Sequence, residues 1–166
     1  MVERLIHIQE VIGSNPMSPI SVNSKKMNCS FCKLLQDEKR KVIEEKKHVF
    51  VVLSDPRLMP GHLLIIPKRH VEKLSELDVN QRKELIETTI DYQDKILDRI
   101  SPGCDTRIHF RPFIKQNKLK VDHLHVHLQP RFSEDKLYTK CQINHKNIFK
   151  PLCKRERNKM TRLLKF

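Results

Sequence analysis

The sequence predicts one domain of mixed helices and strands, and three observations predict it. At 166 residues the chain has the length of one domain, roughly 100 to 200 residues, so one core is expected and a second full domain has no room. Several short apolar or alternating runs have strand length, and one longer stretch repeats its apolar residues with helical period. A hydrophobic share of 38% suffices for a core at this length.

Residues 1–28 hold one weak amphipathic stretch (Leu5, Ile8, Ile12) and then a polar segment with Gly13, Pro16 and Pro19, which reads as an accessory arm. From Cys29 a folded pattern begins, with a short helix around Phe31 to Leu35 and strands at Val42 to Glu45 and His48 to Leu53. Asp55-Pro56 makes a turn. Met59-Pro60-Gly61 leads into a strand from His62 to Pro67, whose Leu63-Leu64-Ile65-Ile66 run predicts burial on both faces. Asp78 and Gln81 have the spacing of a capping box, and Ile86, Ile90, Leu97 and Ile100 then share one helical face, the stripe by which such a helix meets a core. Ser101-Pro102-Gly103 stops that helix. Thr106 to Phe113 alternates, with Arg107, His109 and Arg111 on one side, and a further strand runs from Asp122 to Pro130. The remainder, 132–166, reads as a basic extension, partly helical and packed on the domain. Its helix is expected from about Lys146, with Pro151 delaying or kinking it.

The longest aliphatic and aromatic run, Val49 to Leu53, is far short of the roughly 20 residues that span a bilayer, so no membrane partner is expected. The amino terminus lacks the basic start and apolar run of a signal peptide. Five cysteines are an odd number in a chain able to build a core without staples, which argues against a disulfide framework and for a reducing, cytoplasmic setting. A net charge of +13 implies an anionic partner: a polyphosphate, a nucleotide or a nucleic acid.

The most informative segment is His123-Leu124-His125-Val126-His127-Leu128-Gln129-Pro130-Arg131. Strand side chains alternate, so the three imidazoles leave one face while Leu124, Val126 and Leu128 enter the core. Neighbouring imidazoles can attack a phosphorus centre and assist a leaving group; they can equally bind a metal, or coat a polar sheet face. Cys29 and Cys32 have the spacing of two thiolates on one metal, but a redox pair or two ordinary cysteines share it. Cys141, His145 and Cys153 match no common site, and Cys104 reads as an inert thiol. His7, His48 and His109 read as ordinary histidines.

The histidine segment resembles the signature of the histidine-triad (HIT) family, His-φ-His-φ-His-φ-φ with φ apolar. Pro60-Gly61-His62-Leu63-Leu64-Ile65-Ile66-Pro67-Lys68-Arg69-His70 resembles that family's second block, and Cys29-Ser30-Phe31-Cys32-Lys33 resembles the opening of its zinc-containing members. The resemblance covers residues 29–131. It implies a small α+β fold with a five-stranded antiparallel sheet and flanking helices, paired as a homodimer. It implies nucleotide hydrolysis or nucleotidyl transfer at an α-phosphorus, on phosphoanhydride or phosphoramidate bonds. His125 would be the nucleophile, His127 would contact phosphate and leaving group, and His62 would support the site. A structural zinc would be held by Cys29, Cys32, His70 and His123. A nucleotide- or RNA-binding protein with little turnover is the alternative, and a metal held by His123, His125 and His127 together is a third reading.

The chain departs from the family where many members carry Gly-Gln-Ser/Thr-Val; here Lys118-Leu119-Lys120-Val121 stands instead. Lys118, Lys120 and Arg111 are candidates to contact phosphate as charges rather than amides. Gln129 replaces the motif's last apolar residue, and Asp55 lies one place from the register of a ribose-binding acid. The basic run after Lys146 is either a solvated face or an attractor of polyphosphate and RNA.

Overall fold

The computed structural model describes residues 28–117, 120–137, 139 and 152–164. Helix α1 (Ser30–Asp37) is followed by strands β1 (Val42–Glu45), β2 (Val49–Leu53) and β3 (Leu63–Pro67). Helix α2 (Val79–Arg99), strands β4 (Gly103–Ile108) and β5 (Val126–Arg131) and helix α3 (Lys154–Leu164) complete the described elements. The strands form one five-stranded sheet in the order β1-β2-β3-β5-β4, and every neighbouring pair is antiparallel. This is the α+β architecture expected from the resemblance. Strand β5 inserts between β3 and β4, so the histidine segment is flanked on both sides.

Alternation along the strands builds two cores. Val49, Val51, Leu63, Ile65, Val126 and Leu128 pack with Leu85, Tyr92 and Ile96 of α2 on one face. Phe50, Val52, Leu64 and Ile66 pack with Cys29, Phe31 and Cys32 of the α1 region on the other. The Leu63–Ile66 run is therefore buried on both faces, as its composition predicts. Gly61 turns the chain into β3 at φ 76, a left-handed value that favours glycine. A Cβ there would stand 3.1 Å from Pro130 Cγ.

Asp78 caps α2 through both bonds of the expected capping box. The core face of α2 differs from the expected one: Leu85, Thr88, Thr89, Tyr92 and Ile96 are buried, whereas Ile86, Ile90, Leu97 and Ile100 are 42–52% exposed. The chain carries two apolar stripes on one helix, and periodicity does not say which one meets the sheet. Two strands are also shorter than their patterns suggest. Strand β4 stops at Ile108 because its partner ladder ends at the Ile108–Val126 pair, and Pro112, without an N–H, cannot extend it. Strand β5 starts at Val126, so His123 and His125 precede the ladder, although Leu124 still donates its N–H to Val71 O at 2.6 Å. Helix α3 begins after Pro151 and has no buried residue. No helix among the described residues is long and apolar enough to cross a membrane.

Candidate active site and metal centre

Three neighbouring strands deliver the site. His127 pairs across with Arg107 on β4 and Leu64 on β3, while His62 stands one residue before β3. Leu124, Val126 and Leu128 are held in the core, which sends His125, His127 and Gln129 to the opposite face. His125 and His127 meet at 4.6 Å between ring centroids, His62 stacks on His127 at 5.2 Å, and the edge of Phe31 meets His125 at 5.1 Å.

The hydrogen bonds assign each ring its tautomer. Leu58 N–H donates to His62 Nδ1 at 3.3 Å, so His62 carries its proton on Nε2 and donates it to His127 Nδ1 at 3.0 Å. His127 then holds its own proton on Nε2. His125 Nδ1 lies 2.6 Å from the His123 carbonyl, which only accepts, so His125 is protonated on Nδ1 and keeps its lone pair on Nε2. Burial favours the uncharged rings. It pushes His62 down to about 4 and His127 to about 3, with neighbouring charges adding less, and it lowers His125 and His109 as well. At neutral pH the pair therefore offers one basic nitrogen, Nε2 of His125, and one N–H donor, Nε2 of His127.

These shifts carry a stability consequence. A histidine whose folded-state pKa lies below its unfolded value of about 6.5 takes up protons preferentially in the unfolded chain. The stabilisation is complete above that value and is lost as pH falls toward about 4 for His62. Thermal unfolding between about pH 7 and pH 4.5 should show a midpoint that drops on acidification, with a shallower drop in His62→Gln. Equal slopes in the two proteins would sink the assignment.

His125, His127, His109, Arg107, Arg111 and Phe110 are among the walls of a cavity of about 340 Å³. Arg111 reaches it from the turn after β4. Lys120 also lines it, paired with Asp122, and Gln129 borders it while only 2% exposed. Asp55 is elsewhere: with Ser30, Phe31, Leu34 and Val52 it lines a second hollow of about 370 Å³. Phe31 lines that hollow and meets the His125 ring edge-on. Lys118, Cys141 and His145 lie outside the described residues.

Two further cavity residues are not marked by any sequence motif. His109, an ordinary histidine by its sequence context, has its ring 5.3 Å from that of His127, and Arg107 stands directly opposite His127 in the ladder. The alternation of Arg107, His109 and Arg111 was the available signal; the pairing of β4 with β5 gives it meaning. Arg107 is held by Asp105 at 2.8 Å, and the same carboxylate meets Arg131, which binds Asp135 at 2.7 Å.

On the α1 side of the triad, Cys29 Sγ, Cys32 Sγ, His70 and His123 present four donor atoms within 4.8 Å of one another. His123 Nδ1 is 3.3 Å from Cys29 Sγ and 3.7 Å from Cys32 Sγ, and His70 Nδ1 is 3.6 Å from Cys32 Sγ. Donors around one tetrahedral ion, with bonds of about 2.0–2.3 Å, stand about 3.3–3.8 Å apart, so these three separations match such an ion. His123 Nε2 donates to Pro67 O at 2.9 Å, which leaves Nδ1 unprotonated toward the thiols, the arrangement a ligand histidine needs. His125 and His127 are absent from this cluster, so nothing among the described residues favours one metal shared by all three triad histidines.

The family described as scavenger mRNA decapping enzyme C-term binding matches residues 28–142. Among curated relatives, Protein hit of Bacillus subtilis is 28% identical over 126 residues, which are 75% of this chain and 85% of that protein. The asymmetrical bis(5'-nucleosyl)-tetraphosphatase of Schizosaccharomyces pombe is 28% identical over 55% of this chain, and an AP-4-A phosphorylase of Mycobacterium tuberculosis is 29% identical over 61%. Those matches span about half of either relative, 52% and 51%. A zinc-bound histidine triad family protein of Mycobacterium smegmatis shares the fold with a TM-score of 0.58, at 23% identity over 68% of this chain and 81% of that one.

Proposed function

We propose that this chain, which belongs to the histidine-triad family, hydrolyses nucleotides or transfers a nucleotidyl group at an α-phosphorus by way of a nucleotidyl-histidine intermediate. The observation that carries the reading is the 2.6 Å bond from His125 Nδ1 to the His123 carbonyl, which leaves the His125 lone pair on Nε2 in a cavity rich in donors. In the first step Nε2 bonds to the α-phosphorus while the bond to the leaving group breaks and its electron pair departs with that group. The Nε2–H of His127 donates a hydrogen bond to the departing group and stabilises its charge. In the second step water bonds to phosphorus as the bond to His125 Nε2 breaks, its electron pair returning to the ring and the water proton passing to solvent, and a nucleoside monophosphate is released. Arg107 and Arg111 contribute positive charge for the phosphate oxygens. The amide cradle of Gly-Gln-Ser/Thr members is replaced here by charged side chains, Lys120 among them. The hollow beside Phe31 is suited to the nucleoside, with the Asp55 carboxylate as an acceptor for ribose hydroxyls.

Cys29, Cys32, His70 and His123 are proposed to hold a structural zinc, which when bound would cross-link the polypeptide rather than take part in the reaction. The nucleotide relatives and the intact pair His125 and His127 favour turnover over binding alone. The direct test incubates the protein with dinucleoside polyphosphates and nucleoside phosphoramidates and follows products and adducts by mass spectrometry. A monophosphate product and an acid-trapped adduct on the peptide containing His125 are expected. Binding without either outcome would establish the alternative, a nucleotide- or RNA-binding protein.

The folded unit is assigned to 29–131, with 1–28 as an arm and 132–166 as a basic extension, and the setting to the cytoplasm. The exposed residues Ile86, Ile90, Leu97 and Ile100 follow a 4-7-3 spacing that fits the seam of a helix pair, which supports a homodimer through α2. Ile90→Lys should shift the sedimentation of the protein from dimer to monomer with its unfolding midpoint little changed; a wild type that sediments as a monomer removes the proposal. Helix α3 exposes Lys154, Arg155, Arg157, Lys159 and Arg162 against Glu156, a charge balance that would draw in polyphosphates or RNA and make kcat/KM fall with salt.

A further inference from the structure

The sheet face that carries His127 continues away from the cavity as a row of charges. On β5 the same face bears Gln129 and then Arg131, and their ladder partners on β4 are Asp105 and Gly103, with Arg107 opposite His127. Arg107 lines the cavity, whereas Asp105, Arg131 and Asp135 are not among its walls. Gly103 leaves room for the arginine at the far end, since a Cβ there would stand 3.3 Å from Arg131 Cβ.

The contacts run in one line from the cavity wall to the segment after β5. Arg107 Nη2 donates to Asp105 Oδ2 at 2.8 Å, and Arg131 Nη1 donates to the same oxygen. Arg131 is held in turn by Asp135, Nε donating to Oδ2 at 2.7 Å and Nη2 to Oδ1 at 3.2 Å. Asp135 Oδ2 also accepts the Phe132 N–H at 3.1 Å, which ties the carboxylate to the backbone. The two ends differ in burial: the Arg131 and Asp135 side chains are both 12% exposed, those of Asp105 and Arg107 36% and 39%.

A half-exposed pair of side chains holds its geometry weakly when it stands alone. Here the exposed pair is fastened to a buried one, and the two-bond fork between Arg131 and Asp135 sets the plane of the Arg131 guanidinium and so the direction in which Nη1 meets Asp105. Arg107 commits one of its five N–H donors to that carboxylate; the other four have no hydrogen-bond partner among the described residues. A free arginine would lose rotamer freedom on meeting phosphate, whereas this one loses it on folding, which leaves a donor already oriented when charge develops. By charge alone Asp105 works against a polyphosphate. Orientation of Arg107 accounts for its place.

We propose that Asp105 is a positioning residue: clamped through Arg131 to Asp135, it fixes the Arg107 guanidinium beside His127 for the charge that develops at the α-phosphorus. The inference rests on the nucleotide reading above, and it gives the segment after β5 a part in the reaction through Asp135.

The test measures kcat and KM on a dinucleoside polyphosphate for Asp105→Asn, Asp135→Asn and Arg107→Gln, and for each asparagine variant combined with Arg107→Gln. Loss of one oriented donor in Arg107→Gln should lower kcat about a hundredfold. Asp105→Asn should lower kcat about tenfold and Asp135→Asn about threefold, through misplacement of that donor. In Asp105→Asn KM should stay or fall, because a charge that repels the substrate has gone while the orientation is lost. In the Arg107→Gln background both asparagine changes should have no further effect on kcat, since each acts through Arg107. Equal effects with and without Arg107 would reveal a general structural role and overturn the proposal. So would an Asp105→Asn protein with unchanged kcat and only a lower KM, the mark of a simple charge. Should Asp105→Asn fail to fold, Asp135→Asn and its double variant decide by the same criterion. In each of these outcomes the nucleotide reading stands. Absence of turnover and of a His125 adduct in wild type removes that reading, and this inference with it.

Discussion

His125→Ala should abolish turnover, lowering kcat by about a thousandfold or more, while fold and any metal content stay near those of wild type. The size follows from the division of labour in the site. His125 is the ring that combines a fixed proton on Nδ1, bonded to the His123 carbonyl, with an unprotonated Nε2 beside the cavity. Neither of the other two triad histidines can take its place, because His127 has committed Nδ1 to His62 and His123 has turned Nδ1 to the thiols. The structural cost is small by comparison: the lost contacts are ring edges with Phe31 and His127 and the hydrogen bond to the His123 carbonyl, each worth about 1 kcal/mol. His127→Ala should be less severe, about a hundredfold to a thousandfold, and worst on leaving groups of high basicity, since it removes a hydrogen-bond donor to the developing charge rather than the bond-forming atom. Single-turnover kinetics with acid quenching reads both. Full activity in His125→Ala, or an adduct mapped to another residue, would falsify the assignment.

How much of this was legible before the fold was known depends on the range of the interaction. The capping box of α2, the two-faced burial of β3 and the alternation of Leu124, Val126 and Leu128 are local properties of backbone and side chain, and all are present. The metal cluster was legible only through resemblance to a family, because Cys29 and His123 are 94 residues apart and spacing says nothing over that distance. Arg107 and His109 were visible as one face of a strand, but their place beside His127 depends on β5 lying between β3 and β4, a long-range pairing no local pattern records. The inverted face of α2 has a similar origin. Leu85, Tyr92 and Ile96 form as good a stripe as Ile86, Ile90, Leu97 and Ile100, and the sheet decides between them. Asp55 lines the second hollow rather than the triad cavity, and register along the chain does not say which of the two it faces.

About one zinc per chain is expected, released by Cys29→Ser or Cys32→Ser with a marked loss of stability. The four donors come from distant parts of the chain: two from the start of α1, His70 from beyond β3, and His123 from the approach to β5. An ion held by them binds the folded state and has no comparable site in the unfolded one, so its binding free energy becomes folding free energy. A loss of about 3–5 kcal/mol would lower the melting midpoint by about 10 °C in a chain of this size. The effect should extend to catalysis, although no ligand touches substrate, because His123 is also the residue whose carbonyl fixes the Nδ1 proton of His125. Loosening His123 frees His125 to adopt the other tautomer, so the cysteine variants should lose kcat more than they gain in KM. Metal analysis of protein purified without chelator, of both cysteine variants and of His125→Ala distinguishes the possibilities. Protein devoid of metal sinks the centre. Metal that survives both cysteine changes and disappears with His125→Ala would move the ion onto the triad, and with it the interpretation of His125 as a nucleophile.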